Sequence, residues 1–415
     1  MNTIHRPART GVWLVGIFGD IASTLIAGSL AIKQGLASKT GMVSALKPFD
    51  QLTLISTDAL VFGGLDVKSS TLLHAISEVY RNSRTLPPGL IEKIADEVDL
   101  INDDISINNM WHWSVLRPTP PNSPPLSELI EQLRAAIRDF KLKHQLDHVV
   151  VVNLASAEAV PDVGARHNTL SDFEQLLSEN HKALVTPSMA AAYAALREGC
   201  SYINFTPSPG AAIPGLLELA KQQKLPHYGN DGKTGETLVK TTLAPMFAMR
   251  NLHVMSWEGF NMLGNGDGKT LNNPDNRQAK LENKTRVLDN ILGYSPHSDV
   301  AINYVPSLGD WKTAWDLIHF KGFLDVPMTL QFTWQGCDSI LAAPLVLDMV
   351  RFAEYAYRQH EVGPMHHLAC FFKNPIEVED MSLFVQFEAL VDYAQRHLAR
   401  DINASATTPN IKVSG

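Results

Sequence analysis

The run His148-Val-Val-Val-Val-Asn153 limits the possible folds more than any other stretch of the chain. Four adjacent valines leave a strand no polar face, so it has to be buried on both sides, as strands are in a parallel sheet between two helix layers. Residues 12–15, 59–66 and 201–205 read the same way. Helical periodicity lies between them over 23–34, 69–79, 126–143 and 188–198. Such alternation predicts an α/β protein with a doubly wound parallel sheet. Ligands on these sheets lie outside the carboxyl ends of the strands. Asn153, Asn204 and Asp231 fall at predicted strand ends or just past them.

The first strand runs into Gly16-Ile-Phe-Gly19-Asp-Ile-Ala22, and a helix follows. A strand, a glycine turn and a helix start together make a site for a dinucleotide pyrophosphate. Amides at the helix start attract the anion, and glycines let the backbone approach it. The candidate contacts are Gly16, Phe18, Gly19, Asp20, Ile21 and Ala22. Phe18 stands where the dinucleotide pattern has its middle glycine, and a tight structural turn would use the same residues. Asp66 closes the next strand, where it can hold a ribose hydroxyl or cap the following helix. The apolar stretch 12–32 follows Arg6 and Arg9, as in a secretory signal, but Asp20, Ser23 and Thr24 interrupt it. It reads as a strand, a turn and a buried helix.

After Lys240 the pattern changes. Extended segments at 251–257, 300–305 and 328–334 alternate with helices, which predicts a second α+β domain over 241–340. Residues 1–240 and 341–415 are then one interrupted Rossmann-type domain, and the proline-rich stretch 102–125 is a surface excursion from it. Within the second domain, Arg277-Gln-Ala-Lys-Leu-Glu-Asn-Lys284 contains no Gly or Pro and predicts a helix. Lys280 and Lys284 then share one face. Like charges at that spacing destabilise a bare helix, which an anion between them relieves; a solvated basic face is the plain alternative. The formal net charge of -8 makes any anion site local and argues against nucleic acid or an anionic membrane as partner. Three scattered cysteines, Cys200, Cys337 and Cys370, fit a reducing compartment. His366-His367 lacks the Glu-x-x-His partner of a zinc helix, and metal need is not legible in the sequence.

Six segments, in order, carry a resemblance. They are Gly229-Asn-Asp-Gly-Lys-Thr-Gly-Glu-Thr237, Leu263-Gly-Asn-Gly-Asp-Gly268, Lys280-Leu-Glu-Asn-Lys284, Tyr304-Val-Pro-Ser-Leu-Gly-Asp-Trp-Lys312, Asp338-Ser-Ile-Leu-Ala-Ala-Pro344 and Phe372-Lys-Asn-Pro375. Together they resemble the myo-inositol-phosphate synthase family, most closely between residues 200 and 350. The resemblance implies an NAD-dependent isomerase that turns glucose 6-phosphate into inositol phosphate. In that chemistry the C5 hydroxyl is oxidised, a proton leaves C6, C6 attacks the C1 aldehyde and the same cofactor reduces the ketone. It also implies a cytoplasmic homotetramer built on the second domain, serving inositol and phospholipid biosynthesis.

Carried over residue by residue, the resemblance assigns Lys280 to proton transfer at C5 and enolate stabilisation, and Lys373 to the C1 oxygen. Lys284 and Lys312 hold the phosphate. Asp231, Asp267 and Asp338 orient lysines, hydroxyls or the nicotinamide, and Asn153, Ala155, Ser156, Asn204 and Pro207 join Asp231 and Asp338 around the cofactor. The glycine turn departs from the family, which has Asn-Asn where Asp20-Ile21 stands. An aspartate near a pyrophosphate is repulsive unless turned away or bridged by a cation. A sister substrate such as fructose 6-phosphate, a plain NAD(P) dehydrogenase of an anionic substrate, and a non-catalytic sensor with the same fold are the other readings.

Overall fold

The computed structural model describes residues 9–107, 124–158, 161, 163–264 and 287–407. A seven-stranded, all-parallel sheet forms the larger layer. Its strands are β1 (Thr10–Val15), β2 (Leu60–Asp66), β3 (Ile105–Ile107), β4 (His148–Asn153), β5 (Ser201–Asn204), β6 (Pro226–Gly229) and β11 (Gly363–Pro364), in the order β11-β6-β5-β4-β1-β2-β3.

The valine run is buried on both faces because it alternates between two cores. Val150 and Val152 join Val12 and Leu14 under α1 (Asp20–Lys33), α2 (Leu72–Ser83) and α3 (Leu90–Ile101). Val149 and Val151 join Trp13 and Val15 under α4 (Leu126–Lys143), α5 (Leu170–Ser178), α6 (Pro187–Arg197) and α7 (Pro214–Gln222). A strand with two apolar faces is stable only in this setting. The stretch that resembled a secretory signal is β1 and α1, and among the described residues no helix is long and apolar enough to cross a membrane.

A second, four-stranded sheet has the order β10-β9-β7-β8, from β7 (His253–Leu263), β8 (His297–Tyr304), β9 (Trp311–Lys321) and β10 (Pro327–Cys337). The helix α8 (Gly235–Met249) packs on it through Ala244 and Phe247 against Val254, Trp257 and Ile318. The chain returns through α9 (Asp338–Arg358), which lies on the first sheet beside α1, and ends the described part with α10 (Leu383–Thr407). The expected seams at 240/241 and 340/341 therefore fall inside two continuous helices that join the layers. Pro245 sits inside α8, where it removes a helix hydrogen bond. Burial of its neighbours Ala244 and Phe247 offsets that cost.

A strand and a helix cap differ from expectation for a physical reason. Strand β9 was not legible, because its inward face carries Asp316 between Ala314 and Ile318. That carboxylate accepts a hydrogen bond from Trp257 Nε1 at 2.8 Å, so a charged residue occupies a core position. Asp66 does not cap the next helix; Thr71 does, accepting from the His74 amide at 3.2 Å.

Candidate active site

Three helices begin at one place. The N-termini of α1 at Gly19–Asp20, of α8 at Thr234 and of α9 at Asp338 all line a cleft of about 240 Å³ at the carboxyl ends of β1, β4 and β5. Each directs the positive end of its dipole at the cleft, a setting that favours phosphate. No side chain caps α1 or α8. The Thr234 hydroxyl instead donates to Asp338 Oδ1 at 3.0 Å.

Two lysine–aspartate pairs stand in the cleft. Lys373 Nζ lies 2.9 Å from Asp231 Oδ1, and Lys312 Nζ lies 3.7 Å from Asp338 Oδ2. The first pair is held by the backbone. Lys373 N donates to Asp231 O at 2.7 Å, Asn230 and Asn374 exchange two amide bonds, and Gly232 bridges Phe372. Asp231 takes φ +63°, a left-handed conformation that Asp tolerates better than most residues. Nothing larger than glycine fits at Gly232, because a Cβ there would lie 2.0 Å from the Phe205 ring.

Asp310 fastens α9. Its Oδ2 accepts from the Ser339 amide at 3.1 Å and from the Ser339 hydroxyl, and Cys337 Sγ donates to it at 2.7 Å. Burial pushes the Asp310 carboxyl above its usual range, and the neighbouring Asp338 charge pushes the same way. Lys233 lies next to Gly232 in sequence yet turns inward, where its Nζ donates to Gln386 Oε1 at 2.6 Å. Desolvation lowers its ammonium to about 8.

The Lys233 shift has a testable sign. The folded pKa is depressed, so this lysine's stabilising share is complete above 10.5 and is lost as pH falls through about 8. The double variant Lys233→Met/Gln386→Leu, which removes both polar partners, is therefore expected to gain in Tm on the parent chain as pH falls from 10.5 to 8. Parallel melting curves for the two proteins over that range would refute the assignment.

Among the candidate residues, Phe18, Gly19, Asp20, Ile21, Ala155, Ser156, Pro207, Asp231, Lys312, Asp338 and Lys373 line the cleft together. Others stand behind the lining. Asn153 and Asn204 are buried and bonded to each other at 3.1 Å, and both reach Thr206 Oγ1. Ala22 is in the core, and Gly16, at φ +85°, turns the chain where a Cβ would crowd Ala155. Asp66 is engaged with backbone amides at the end of β2. Asp267, Lys280 and Lys284 lie outside the described residues. The structure adds Lys68, Thr206, Thr234 and Asp310 to the lining. Asp310 and Thr234 were inside quoted motifs, whereas nothing in the sequence marks Lys68.

Fold and cleft define an NAD-binding enzyme of Rossmann type: the glycine turn, the uncapped start of α1 and the strand-end position suit a dinucleotide. A family model for myo-inositol-1-phosphate synthase matches residues 10–395, and the chain belongs to that family. The family binds NAD, which is the cofactor here. The inositol-3-phosphate synthase 1 of Bacteroides thetaiotaomicron is 33% identical over 395 residues, covering 89% of this chain and 91% of that protein. The human inositol-3-phosphate synthase 1 is 30% identical over 412 residues, covering 86% and 70%. The crystal structure of inositol-3-phosphate synthase from Caenorhabditis elegans superposes with a TM-score of 0.83 at 27% identity, covering 94% of this chain and 86% of that one.

Proposed function

We propose that the cleft cyclises glucose 6-phosphate to myo-inositol phosphate, as an isomerase of the inositol-3-phosphate synthase type. The observation that carries this reading is the meeting of three helix N-termini with two lysine–aspartate pairs in one cavity. NAD, when bound, supplies the reversible oxidation at C5. The chain's own residues do the rest. A C5 ketone makes the C6 proton acidic only if the enolate oxygen is stabilised, and Lys280 has that task in this reading. Lys373 faces the alkoxide that develops at C1, with Asp231 fixing its ammonium. Lys312 and Lys284 grip the phosphate, which holds C6 against C1.

The described lining carries three lysines, Lys68, Lys312 and Lys373, against four aspartates, Asp20, Asp231, Asp310 and Asp338. Two of those lysines are already paired. The surplus positive potential for a sugar phosphate then comes from the helix ends and from Lys280 and Lys284. The test supplies glucose 6-phosphate with trace NAD and follows product by phosphorus NMR. A new cyclitol phosphate without accumulation of reduced nicotinamide is expected. Stoichiometric reduced nicotinamide would favour the plain dehydrogenase and sink this reading.

The same reading includes a cytoplasmic homotetramer assembled on the second sheet. Strand β10 is an eleven-residue edge with no charged side chain, and Thr329, Gln331, Thr333 and Gln335 are exposed along it. Long uncharged edges in stable proteins are normally covered. Phe260 is exposed beside Trp315 on that sheet, with ring centroids 5.7 Å apart.

A further inference from the structure

We infer that Lys68 lets the cofactor cleft accept a phosphate on the adenosine 2′ oxygen, so that the chain takes NADP as well as NAD. The inference rests on the reading of the cleft as the dinucleotide site. In sheets of this kind the side chain that closes β2 meets the adenosine ribose. A carboxylate there bonds the free 2′-hydroxyl and repels a phosphate, whereas a cation nearby accommodates the phosphate.

Here the carboxylate is used for something else. Asp66 Oδ2 accepts from the Phe18 amide at 3.0 Å, and Oδ1 accepts from the Val67 and Lys68 amides at 2.8 and 3.1 Å. The residue is only 7% exposed and is not part of the cleft lining. Its charge is spread over three donors, of which the Phe18 amide ties the end of β2 to the glycine turn. The bond to Phe18 also explains how the turn works without its middle glycine: the Phe18 amide has a fixed internal partner and the ring packs into the core, at 8% exposure.

The first charged side chain after β2 that does face the cleft is Lys68. It is exposed, and it lines the wall formed by Phe18, Gly19, Asp20 and Ile21. A cationic side chain two residues past the end of β2 thus lines the cleft, and the carboxylate that closes β2 does not. Asp20 shares the cleft and opposes added negative charge, which limits the effect to tolerance of the 2′-phosphate and not exclusive use of it.

The test is calorimetric titration of the full chain, freed of co-purified nucleotide, with ADP-ribose and with 2′-phospho-ADP-ribose. The two ligands are expected to bind within about tenfold of each other, because specificity is a difference of two affinities. Lys68→Ala is expected to weaken 2′-phospho-ADP-ribose by about tenfold while shifting ADP-ribose by less than about threefold. Wild-type discrimination against the 2′-phosphate beyond about tenfold, or a Lys68→Ala loss shared equally by both ligands, overturns the inference. Binding of neither ligand overturns the inference together with the cofactor assignment beneath it.

Discussion

Lys373→Ala is expected to lower turnover of glucose 6-phosphate by about 10² to 10³, the usual effect of removing one donor aimed at a developing oxyanion. NAD should stay bound, because the uncapped start of α1 is untouched. Part of any loss could come from Asp231, which the substitution leaves without its partner at 2.9 Å. The double variant Lys373→Ala/Asp231→Asn separates the two effects. If Lys373 acts on substrate, the double variant remains as slow as the single one; if the fault lies in a stranded carboxylate, it recovers. Turnover within about tenfold of wild type in Lys373→Ala would remove this lysine from the mechanism.

Gly232→Ala is expected to be among the most damaging small changes in the chain. The new methyl would sit 2.0 to 2.3 Å from three atoms of the Phe205 ring. Phe205 cannot retreat into the sheet, where Phe372 packs edge-on at 6.5 Å and itself abuts Tyr228 at 5.4 Å. Overpacking of this sort costs about 1–3 kcal/mol or more. The ring's free side is the cleft, so its displacement would also fill space that the cofactor needs. Melting with and without NAD reads both effects: a lower Tm and the loss of the NAD-induced rise. A variant that melts as wild type does and keeps that rise would contradict the geometry.

Much of the first layer was legible because burial on two faces writes itself into sequence as unbroken apolar runs. Residues 126–143 and 148–153 match α4 and β4 end for end. The second layer was harder to read. Its sheet is covered by α8 on one face; that face includes Asp316 and Asn261, and α8 sets Glu236 against Asn261, all three buried. Polar residues satisfied inside a core look like surface in a sequence, so β9 was missed and β7 was expected to end at residue 257 when it runs to Leu263.

The residues of the candidate site were legible in the sequence, but the directions of their side chains were not. Lys233 follows Asn230-Asp-Gly232 and Lys373 follows Phe371-Phe372, so the polarity of their neighbours alone would turn the first outward and the second into the core. Only the fold reveals that Lys233 points to Gln386 under α10 while Lys373 reaches Asp231 in the cleft. Lys68 shows the opposite limitation. It belongs to no quoted motif, and its place follows from how Asp66 is drawn back to the Phe18 amide.

The backbone clasp between residues 230–232 and 372–374 has a consequence for synthesis on the ribosome. The nascent polypeptide can lay down β1 to β6 early, yet the loop after β6 has no partner until residue 374 has left the exit tunnel. A product terminated between the end of α9 and that point would carry the dinucleotide half of the machine with the Lys373–Asp231 pair unmade. Such stalled or clipped chains would compete for NAD without making cyclitol.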